Sequence, residues 1–437
     1  MKLPKVLIVG QSFNSDTGGG ITLSNLFKGW DRDKLAVACS GYLLLDNIDT
    51  DVCNTYYQLG EKEQKWRFPF SFLKRKYKSG LVQFSSEKIQ NMTIPKSKIR
   101  VSIILNVFYP LLQYLGVIHL MRNTSLSEEL CSWLDEYKPD VIYAQTTSRD
   151  GISFCLAIQD YLKKPLIYHV MDDWPSTISQ KGLLKNYWHN KIDQELRVLL
   201  DRADVLMSIS EEMASEYKAR YNKDFIPFHN TIDVDFWKKY QRNTYDLPKS
   251  PTILYAGRIG LGIDSSLELI AKAIQGINDE LNLSIRFVLQ TQDKPSWIGN
   301  YSSVYHSGFV AYSDLPRVFA ESDMLLLPYD FHTAALKFIK FSMPTKVPEY
   351  MITGTPIIIF APEVTALVKY AQKYEWAKVI TKNDIGAVTC AITQLIENQE
   401  LRKKYAKNAI ELAEKNHNSA DVTNQFKKVI CITADVA

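Results

Sequence analysis

A carboxylate stands just inside a predicted helix start in the segment Phe341 to Phe360, FSMPTKVPEYMITGTPIIIF. Proline is tolerated only in the first turn of a helix, so Pro348 predicts a helix that begins near Thr345 or Lys346, with Thr345 as the N-cap. The free N–H groups of a helix start suit a diphosphate, and Glu349, about one turn inside, can accept hydrogen bonds from a ribose diol. The alternative is a plain helix with a proline start.

A second group of polar side chains follows the apolar run Pro165 to Val170 and consists of His169, Asp172 and Asp173. A histidine beside two carboxylates is the composition expected for moving or orienting the proton of a hydroxyl group. These three residues are therefore candidate catalytic residues. The alternative is a structural His169, with one of the two aspartates capping a helix.

Three consecutive glycines, Gly18, Gly19 and Gly20, follow the polar loop GQSFNSDT and open a predicted helix. Glycine backbone permits the close approach of a phosphate or a sugar. The spacing from Gly10 does not fit the dinucleotide fingerprint G-x-G-x-x-G. The alternative to a binding loop is a flexible surface loop.

Two segments of the first half indicate contact with a membrane surface. Lys65 to Lys78, KWRFPFSFLKRKYK, mixes basic and aromatic residues, which suits anionic head groups and the lipid interface. Val101 to Met121 has the length of a membrane span, but polar residues and Pro110 interrupt it, and we interpret it as amphipathic or surface-seeking. The alternative is a solvated basic loop over an ordinary buried helix.

The composition excludes several classes of protein. The 437 residues include 52 Lys plus Arg against 48 Asp plus Glu, a balance that argues against nucleic acid as the main partner. The six cysteines are far apart and no cysteine–histidine spacing predicts a zinc site, so we read them as reduced thiols of a cytoplasmic protein. No secretory signal is apparent at the start of the sequence.

Short apolar runs that alternate with helical patterns predict an α/β protein with parallel sheets. The predicted strands are Lys5–Gly10, Asp140–Ala144, Pro165–Val170, Val205–Ile209, Thr252–Gly257, Leu283–Gln290, Val304–Gly308, Met324–Tyr329, Pro356–Phe360 and Ala377–Ile380. We expect two doubly wound domains that face a cleft. The predicted parts are an N-terminal α/β domain (1–228), a linker (229–250), a C-terminal α/β domain (251–415) and a final helix (416–437) that crosses back to the first domain.

The run PTKVPEYMITGTPIII resembles the donor-binding signature of retaining glycosyltransferase family 4, of the bacterial surface-polysaccharide type, which has the GT-B fold. In this resemblance Glu349 matches the second glutamate of the E-x7-E motif, which holds the nucleotide ribose. Phe341 takes the place of the first glutamate. The resemblance also implies that the backbone of Ser342 and Met343 lies near the donor sugar. The backbone of Thr345 and Lys346 would lie near the diphosphate.

Other segments match the family in the same order along the chain. YAGRI resembles the strand and turn that place an arginine, here Arg258, on the donor diphosphate, whereas the family's following lysine is missing around Ile263 or Asp264. The loop Gly18 to Gly20 resembles the glycine-rich loop that faces the donor. The triplet Asp233 to Asp235 imitates a metal-binding Asp-x-Asp, but it lies in the predicted linker and we interpret it as a coincidence.

The resemblance implies a metal-independent transferase that needs no cofactor and moves a sugar from a nucleotide-diphosphate donor, with retention, to a hydroxyl of a saccharide or lipid-linked saccharide. It also implies that the N-terminal domain (1–228) is the acceptor-side domain and that the C-terminal domain (251–415) is the nucleotide-sugar-binding domain. We expect a cytoplasmic protein in peripheral contact with the inner face of an anionic membrane. Two alternatives stay open. One is a nucleotide-sugar epimerase of the same fold, and the other is a non-catalytic nucleotide-sugar-binding subunit.

Overall fold

The computed structural model of the protein describes residues 2–15, 17–44, 48–68, 70–73, 77–82, 104–178, 181–260 and 262–435. The chain divides into two compact units, the first formed by Met1–Phe228 with Thr423–Ala437 and the second by His229–Val422. The predicted linker, residues 229–250, is part of the second unit. The C-terminal helix contributes to the first unit from Thr423 onward.

The first unit is built on an eight-stranded sheet in the order β10-β9-β8-β7-β1-β2-β3-β5. Its strands are β1 Val6–Val9, β2 Leu35–Ser40, β3 Tyr56–Leu59, β5 Gly80–Leu81, β7 Val141–Ala144, β8 Leu166–Val170, β9 Val205–Ser208 and β10 Ile226–Pro227. All neighbouring strands are parallel except β3 and β5. A separate antiparallel pair consists of β4 Gln64–Trp66 and β6 Arg122–Thr124. The helices are α1 Gly18–Leu26, α2 Tyr109–Leu115, α3 Glu128–Tyr137, α4 Arg149–Leu162, α5 Trp174–Thr177, α6 Lys185–Arg202 and α7 Glu211–Tyr221.

The second unit is built on a six-stranded, wholly parallel sheet in the order β13-β12-β11-β14-β15-β16. Its strands are β11 Thr252–Ala256, β12 Arg286–Gln290, β13 Val304–Ser307, β14 Met324–Pro328, β15 Ile357–Phe360 and β16 Lys378–Ile380. The helices are α8 Val234–Lys238, α9 Asp264–Leu281, α10 Leu315–Glu321, α11 Thr333–Ile339, α12 Lys346–Ile352, α13 Ala366–Tyr374, α14 Ile385–Glu397 and α15 Gln399–Asn416. The final helix, α16, covers Ser419–Asp435.

Both faces of the second sheet are covered, which is why its strands read as continuous apolar runs. Leu254 of β11 and Leu325 of β14 belong to one hydrophobic core, with α12 and α13. Their neighbours Ile253 and Leu326 belong to the core on the opposite face, with α9 and α14. The prediction of two doubly wound parallel-sheet domains is confirmed for each sheet.

The structure also contains strands that the sequence did not predict. β2 has the sequence LAVACS, in which small residues replace most of the β-branched residues that mark a strand, and β3 is only four residues long. Both are buried, with β2 paired to β1 and β3 paired to β2. They extend the sheet on one side of β1, and β7 pairs with β1 on the other side. The switch point of the first sheet therefore lies between β1 and β7.

The apolar segment Val101 to Met121 forms several short helical elements, and its residues 101–103 are outside the described part of the chain. A π-helical turn, Ile104–Phe108, leads into α2, which Gly116 ends with a φ of 72°. Among the described residues, no helix has the length and apolar character needed to cross a bilayer. The interpretation of this segment as surface-seeking stays a prediction.

Candidate functional site

The second sheet has a topological switch point between its two central strands, β11 and β14. The chain runs from β11 to β12 and β13 on one side and from β14 to β15 and β16 on the other, so β11 and β14 are neighbours. Ligands of such sheets bind outside the carboxyl ends of the strands at this point. Gly257 and Arg258 follow β11, and Asp330 comes shortly after β14, so these residues flank the expected ligand position.

The helix that carries Glu349 begins at Lys346, as Pro348 predicted. Thr345 is its N-cap residue, but its backbone is helical and its side chain makes no capping hydrogen bond. The prediction of Thr345 as the N-cap residue is therefore correct, but the capping hydrogen bond expected from its side chain is not formed. Ser342 and Met343 lie in the turn that precedes this helix, and the carbonyl of Met343 accepts a hydrogen bond from Asn230 Nδ2 at 2.9 Å.

Glu349 lies in the first turn of α12, where its half-buried carboxyl group hydrogen bonds with Tyr312. Burial raises the pKa of Glu349 to about 7, and the nearby Lys346 only partly opposes this shift. Burial also raises the pKa of Tyr312 to about 12, with a smaller contribution from Glu349. The carboxyl group is thus close to its protonation midpoint at neutral pH.

Lys346 turns back toward the end of β11. Its ammonium group donates a hydrogen bond to the carbonyl of Ala256 and lies 5.0 Å from the centre of the Tyr255 ring. A Cβ atom on Gly257 would lie 2.0 Å from Lys346 Nζ, so this contact requires glycine at position 257. Burial lowers the pKa of Lys346 to about 8, against the opposing effect of Glu349.

Arg258 is exposed immediately after this glycine, and its carbonyl accepts a hydrogen bond of 2.6 Å from Tyr255 Oη. The position of the family's missing lysine falls at the start of α9. There Asp264 accepts a hydrogen bond from Trp297 Nε1 at 3.0 Å. The cationic side chains near the end of β11 are therefore Arg258 and Lys346.

Phe341, in the place of the family's first glutamate, is a buried side chain with Lys340 Nζ 4.6 Å from the centre of its ring. Asp330, two positions after the end of β14, is an acidic side chain that the sequence analysis did not single out. Asp330 is buried and accepts a hydrogen bond of 2.8 Å from the backbone of Ser266, and His332 Nε2 lies 3.4 Å from its other oxygen. Its position directly after a predicted strand was the signal that could have found it.

In the first unit the three glycines form the start of α1. The N-cap Thr17 accepts a hydrogen bond from Gly20 N at 3.1 Å. A Cβ atom on Gly20 would lie 2.2 Å from Asn14 Nδ2, and one on Gly19 would lie 2.3 Å from Gln11 Nε2. Gly18 has open space around it. Gly20 is thus required by the buried, hydrogen-bonded Asn14, whereas the flexible Gln11 side chain could move away from a side chain at position 19.

His169 does not have the surroundings of a proton-transfer group, and the structure corrects this expectation. Its ring is buried in β8, with Nδ1 2.5 Å from Tyr143 Oη. Gln145 Nε2 donates to the same hydroxyl at 2.9 Å, so the hydroxyl proton points to the ring nitrogen. Burial lowers the pKa of His169 to about 3, and the ring is therefore neutral and structural.

The two aspartates after β8 differ in their surroundings. Asp173 is buried and accepts hydrogen bonds from Arg220 at 2.8 Å and from Tyr217 Oη at 3.1 Å, so it is a structural residue and not a free catalytic carboxylate. Asp172 keeps an accessible side chain. Desolvation by the surrounding protein raises the pKa of the Asp172 carboxyl group, and the charge of Asp173 adds to the effect.

No three His, Cys, Asp or Glu side chains in the described parts of the chain are grouped so that they could hold a metal ion. Asp233, from the triplet in the predicted linker, is the N-cap of α8 and accepts a hydrogen bond from Phe236 N at 3.2 Å. This cap explains the residue in structural terms.

Residues 250–398 match the family model described as "Glycosyl transferases group 1". No curated protein sequence matches the chain. Solved structures match it along nearly its whole length. Sucrose-phosphate synthase from Thermosynechococcus elongatus has 12% identity and a TM-score of 0.62, with 99% of both chains covered. HepE of Anabaena, in complex with UDP and glucose, has 14% identity and a TM-score of 0.58, covering 98% of this chain and 99% of its own. WaaG, a glycosyltransferase involved in lipopolysaccharide biosynthesis, has 12% identity and a TM-score of 0.54, covering 97% of this chain and 99% of its own.

Because these sequence identities are only 12–14%, the structural similarities show the fold alone. The protein has the two-domain α/β architecture of GT-B glycosyltransferases. Within its second unit, residues 250–398 are similar to the glycosyl transferases group 1 model, and the matched segment contains Arg258, Lys346 and Glu349.

Proposed function

We propose that the protein is a retaining glycosyltransferase of family 4 that acts in polysaccharide biosynthesis. It transfers a sugar, of the hexosyl or a related class, from a nucleotide-diphosphate donor to a hydroxyl of a saccharide or lipid-linked saccharide. The observation that carries this proposal is the arrangement of Glu349, Lys346 and Arg258 beside the end of β11, inside the matched domain. The UDP and UDP-glucose bound in the HepE structures support a nucleotide-sugar donor.

Each of these side chains has a proposed role in binding the donor. The Glu349 carboxylate accepts hydrogen bonds from the ribose diol. The Arg258 guanidinium pairs with the diphosphate, and the backbone of Thr345 and Lys346 adds donors to it. The backbone of Ser342 and Met343 borders the donor sugar.

In the proposed reaction the bond between the anomeric carbon and the diphosphate oxygen breaks, and its electron pair leaves with the diphosphate. The acceptor oxygen forms the new bond on the same face of the sugar, which retains the configuration. Arg258 stabilises the charge that develops on the leaving diphosphate. Asp172, the accessible carboxylate at the end of β8, accepts the hydroxyl proton.

A second candidate function is a non-catalytic nucleotide-sugar-binding subunit. The observation that favours it is Phe341, an apolar side chain where the family has a glutamate. Donor binding without turnover would support this alternative. Turnover that needs no acceptor would instead support an epimerase of the same fold.

The first experiment is a thermal-shift screen of UDP, GDP, ADP and dTDP sugars against the purified protein. A ligand at about 100 times its dissociation constant adds roughly 2.7 kcal/mol to stability, which a shift in melting temperature detects. Stabilisation by one nucleotide class identifies the donor used in the measurements below. The absence of any shift across the screen would contradict the proposed function.

Replacing Glu349 by Gln should weaken donor binding by about 10- to 100-fold, since hydrogen bonds to a charged group contribute about 1.5 to 3 kcal/mol.

Because the pKa of Glu349 is raised to about 7, donor affinity of the wild type should rise as the pH increases through neutrality and the carboxylate forms. The variant should lose this dependence. Calorimetric titration measures both effects, with the exposed Glu397→Gln as control. Equal affinity in the wild type and a folded Glu349→Gln variant would refute the assignment.

Replacing Asp172 by Asn should lower kcat by about 100-fold or more, the usual contribution of a general base, and leave donor affinity unchanged. Steady-state kinetics with donor and acceptor, combined with calorimetry, separate the two quantities. The control is Asp224→Asn, which changes an exposed carboxylate of the same unit. An unchanged kcat would remove Asp172 from the mechanism.

Turnover should survive excess EDTA, because Arg258 and backbone amides are proposed to neutralise the diphosphate without a metal ion. The measurement compares initial rates before and after chelation, and again after Mg²⁺ or Mn²⁺ is added back. Activity that disappears with EDTA and returns with either ion would show that the reaction depends on a metal.

We also propose that the protein is cytoplasmic and contacts the inner face of an anionic membrane through Lys65 to Lys78. Phe68 in this segment is 92% exposed, and Phe70 packs near Leu112 of α2. Residues 74–76 lie outside the described part of the chain. Each Lys or Arg near an anionic leaflet contributes about 1 kcal/mol, so binding should weaken with salt.

Co-sedimentation with phosphatidylglycerol and phosphatidylcholine vesicles tests this contact. The variant with Lys74, Arg75, Lys76 and Lys78 changed to Ser should pellet less with the anionic vesicles. The control has four lysines of α15, namely Lys403, Lys404, Lys407 and Lys415, changed to Ser. If the wild type and the basic-segment variant pellet equally, the segment is not a membrane anchor.

A further inference from the structure

The first unit contains two adjoining cavities at the carboxyl ends of its strands, of about 240 Å³ and about 50 Å³. They share Arg122, Ser148 and Asp150 in their walls, and together we call them the Arg122–Asp150 cavity. The chain runs from β1 to β2 and β3 on one side of the sheet and from β7 to β8 and β9 on the other. The cavity thus lies at the switch point of the first sheet, where ligands of such folds bind.

The polar groups of this cavity suit the hydroxyls of a sugar. Arg122 Nε donates to Asp150 Oδ2 at 2.6 Å, and both side chains keep part of their surface accessible. Tyr42 and Thr146 add hydroxyl groups to the wall. A sugar hydroxyl both donates and accepts, so a guanidinium next to a carboxylate can hold it from both sides.

One wall of the larger cavity is aromatic. Trp66 of β4 and Tyr109 at the start of α2 line it together with Ile178. Aromatic rings offer large, rigid apolar surfaces, against which the C–H face of a sugar can pack. The cavity therefore combines a polar floor with an apolar side wall.

The helix that supplies Tyr109 has an unusual distribution of apolar side chains. Of the residues of α2, Leu112 alone is buried, whereas Leu111, Tyr114 and Leu115 are exposed. The backbone of Leu183 donates a hydrogen bond of 2.8 Å to the carbonyl of Tyr114, which places another exposed leucine beside this helix. We call Leu111, Tyr114, Leu115 and Leu183 the α2 face. Contiguous exposed apolar surface of this kind marks an interaction site.

The two chain segments that carry the α2 face contain basic residues and no acidic ones. No acidic residue occurs between positions 104 and 127 or between positions 181 and 192. The exposed Lys181 and Lys185 flank Leu183 in the sequence. An apolar surface bordered by lysines complements a lipid chain joined to an anionic group.

We propose that the Arg122–Asp150 cavity and the α2 face together bind one amphiphilic glycolipid. Its saccharide occupies the cavity between the Arg122–Asp150 pair and the aromatic wall. Its lipid chain leaves past Tyr109 and runs along the α2 face. The further statement that this glycolipid is the acceptor, and that the acceptor is lipid-linked, rests on the proposed transferase function.

Saturation-transfer NMR with octyl glycosides of glucose, galactose, mannose and N-acetylglucosamine, used below micelle formation, tests the proposal. At least one should receive saturation at its ring protons and at its alkyl protons. Asp150→Asn and Tyr42→Ala should each weaken binding of that glycoside by about tenfold, the effect of losing one hydrogen bond from the polar wall of the cavity. Tyr42 is exposed, so its replacement does not disturb the core.

The methyl glycoside of the same sugar separates the two parts of the site. Tyr114→Ser should weaken binding of the octyl glycoside and leave binding of the methyl glycoside unchanged. The control Tyr240→Ser removes a similarly exposed tyrosine from the second unit and should change neither. If no octyl glycoside binds, or if both cavity variants bind like the wild type, the cavity is not a saccharide site. If Tyr114→Ser leaves binding of the octyl glycoside unchanged, the α2 face does not bind the alkyl chain.

The donor screen is independent of these measurements. Glycoside binding that depends on Asp150, in a protein that no nucleotide sugar stabilises, would support the glycolipid site and contradict the transferase function. Donor binding without any glycoside binding would contradict the glycolipid site alone.

Discussion

The burial of both faces of each parallel sheet is the constraint on which the rest of the structure depends. Alternate residues of β11 and β14 enter two different hydrophobic cores, so these strands have no surface left for polar side chains. Polar groups must then collect at the strand ends, and the ends open to a ligand only where the chain leaves a sheet in opposite directions. This condition is met between β11 and β14, and again between β1 and β7.

At the β11 end, desolvation brings an acid and a base close to the same pKa. Burial raises the pKa of Glu349 to about 7 and lowers that of Lys346 to about 8, whereas the attraction between the two works in the opposite direction for each. The pair therefore responds to small changes in local charge near neutral pH. An anion beside Lys346 favours its protonated form, and hydrogen-bond donors beside Glu349 favour its carboxylate. A diphosphate and a ribose diol supply these two conditions in one ligand.

The sequence predicted those parts of the fold that depend on local signals. Continuous apolar runs marked β1, β7 and β11, and Pro348 marked the start of α12, because these effects act within a few residues. Arg122 and Asp150 were not recognised as a pair, since they are 28 positions apart and meet only after β6 and α4 have formed. A polar residue directly after a predicted strand, such as Asp330, was the usable signal in the second unit, whereas Asp150 follows the polar loop after β7 and lies in the first turn of α4.

His169 shows why residue type alone misleads in a sheet buried on both sides. In a half-exposed strand, alternation would separate a core position from a surface position, but every residue of β8 is buried, so the sequence carries no such distinction. A buried neutral imidazole needs hydrogen-bonding partners, and Tyr143 on the neighbouring strand supplies one. Gln145 donates to the same hydroxyl, which fixes its side chain at the end of β7. The histidine thus belongs to a buried hydrogen-bond chain that orders the strand end, and in the function that we propose the chemistry at that edge falls to the residues that follow β7 and to Asp172.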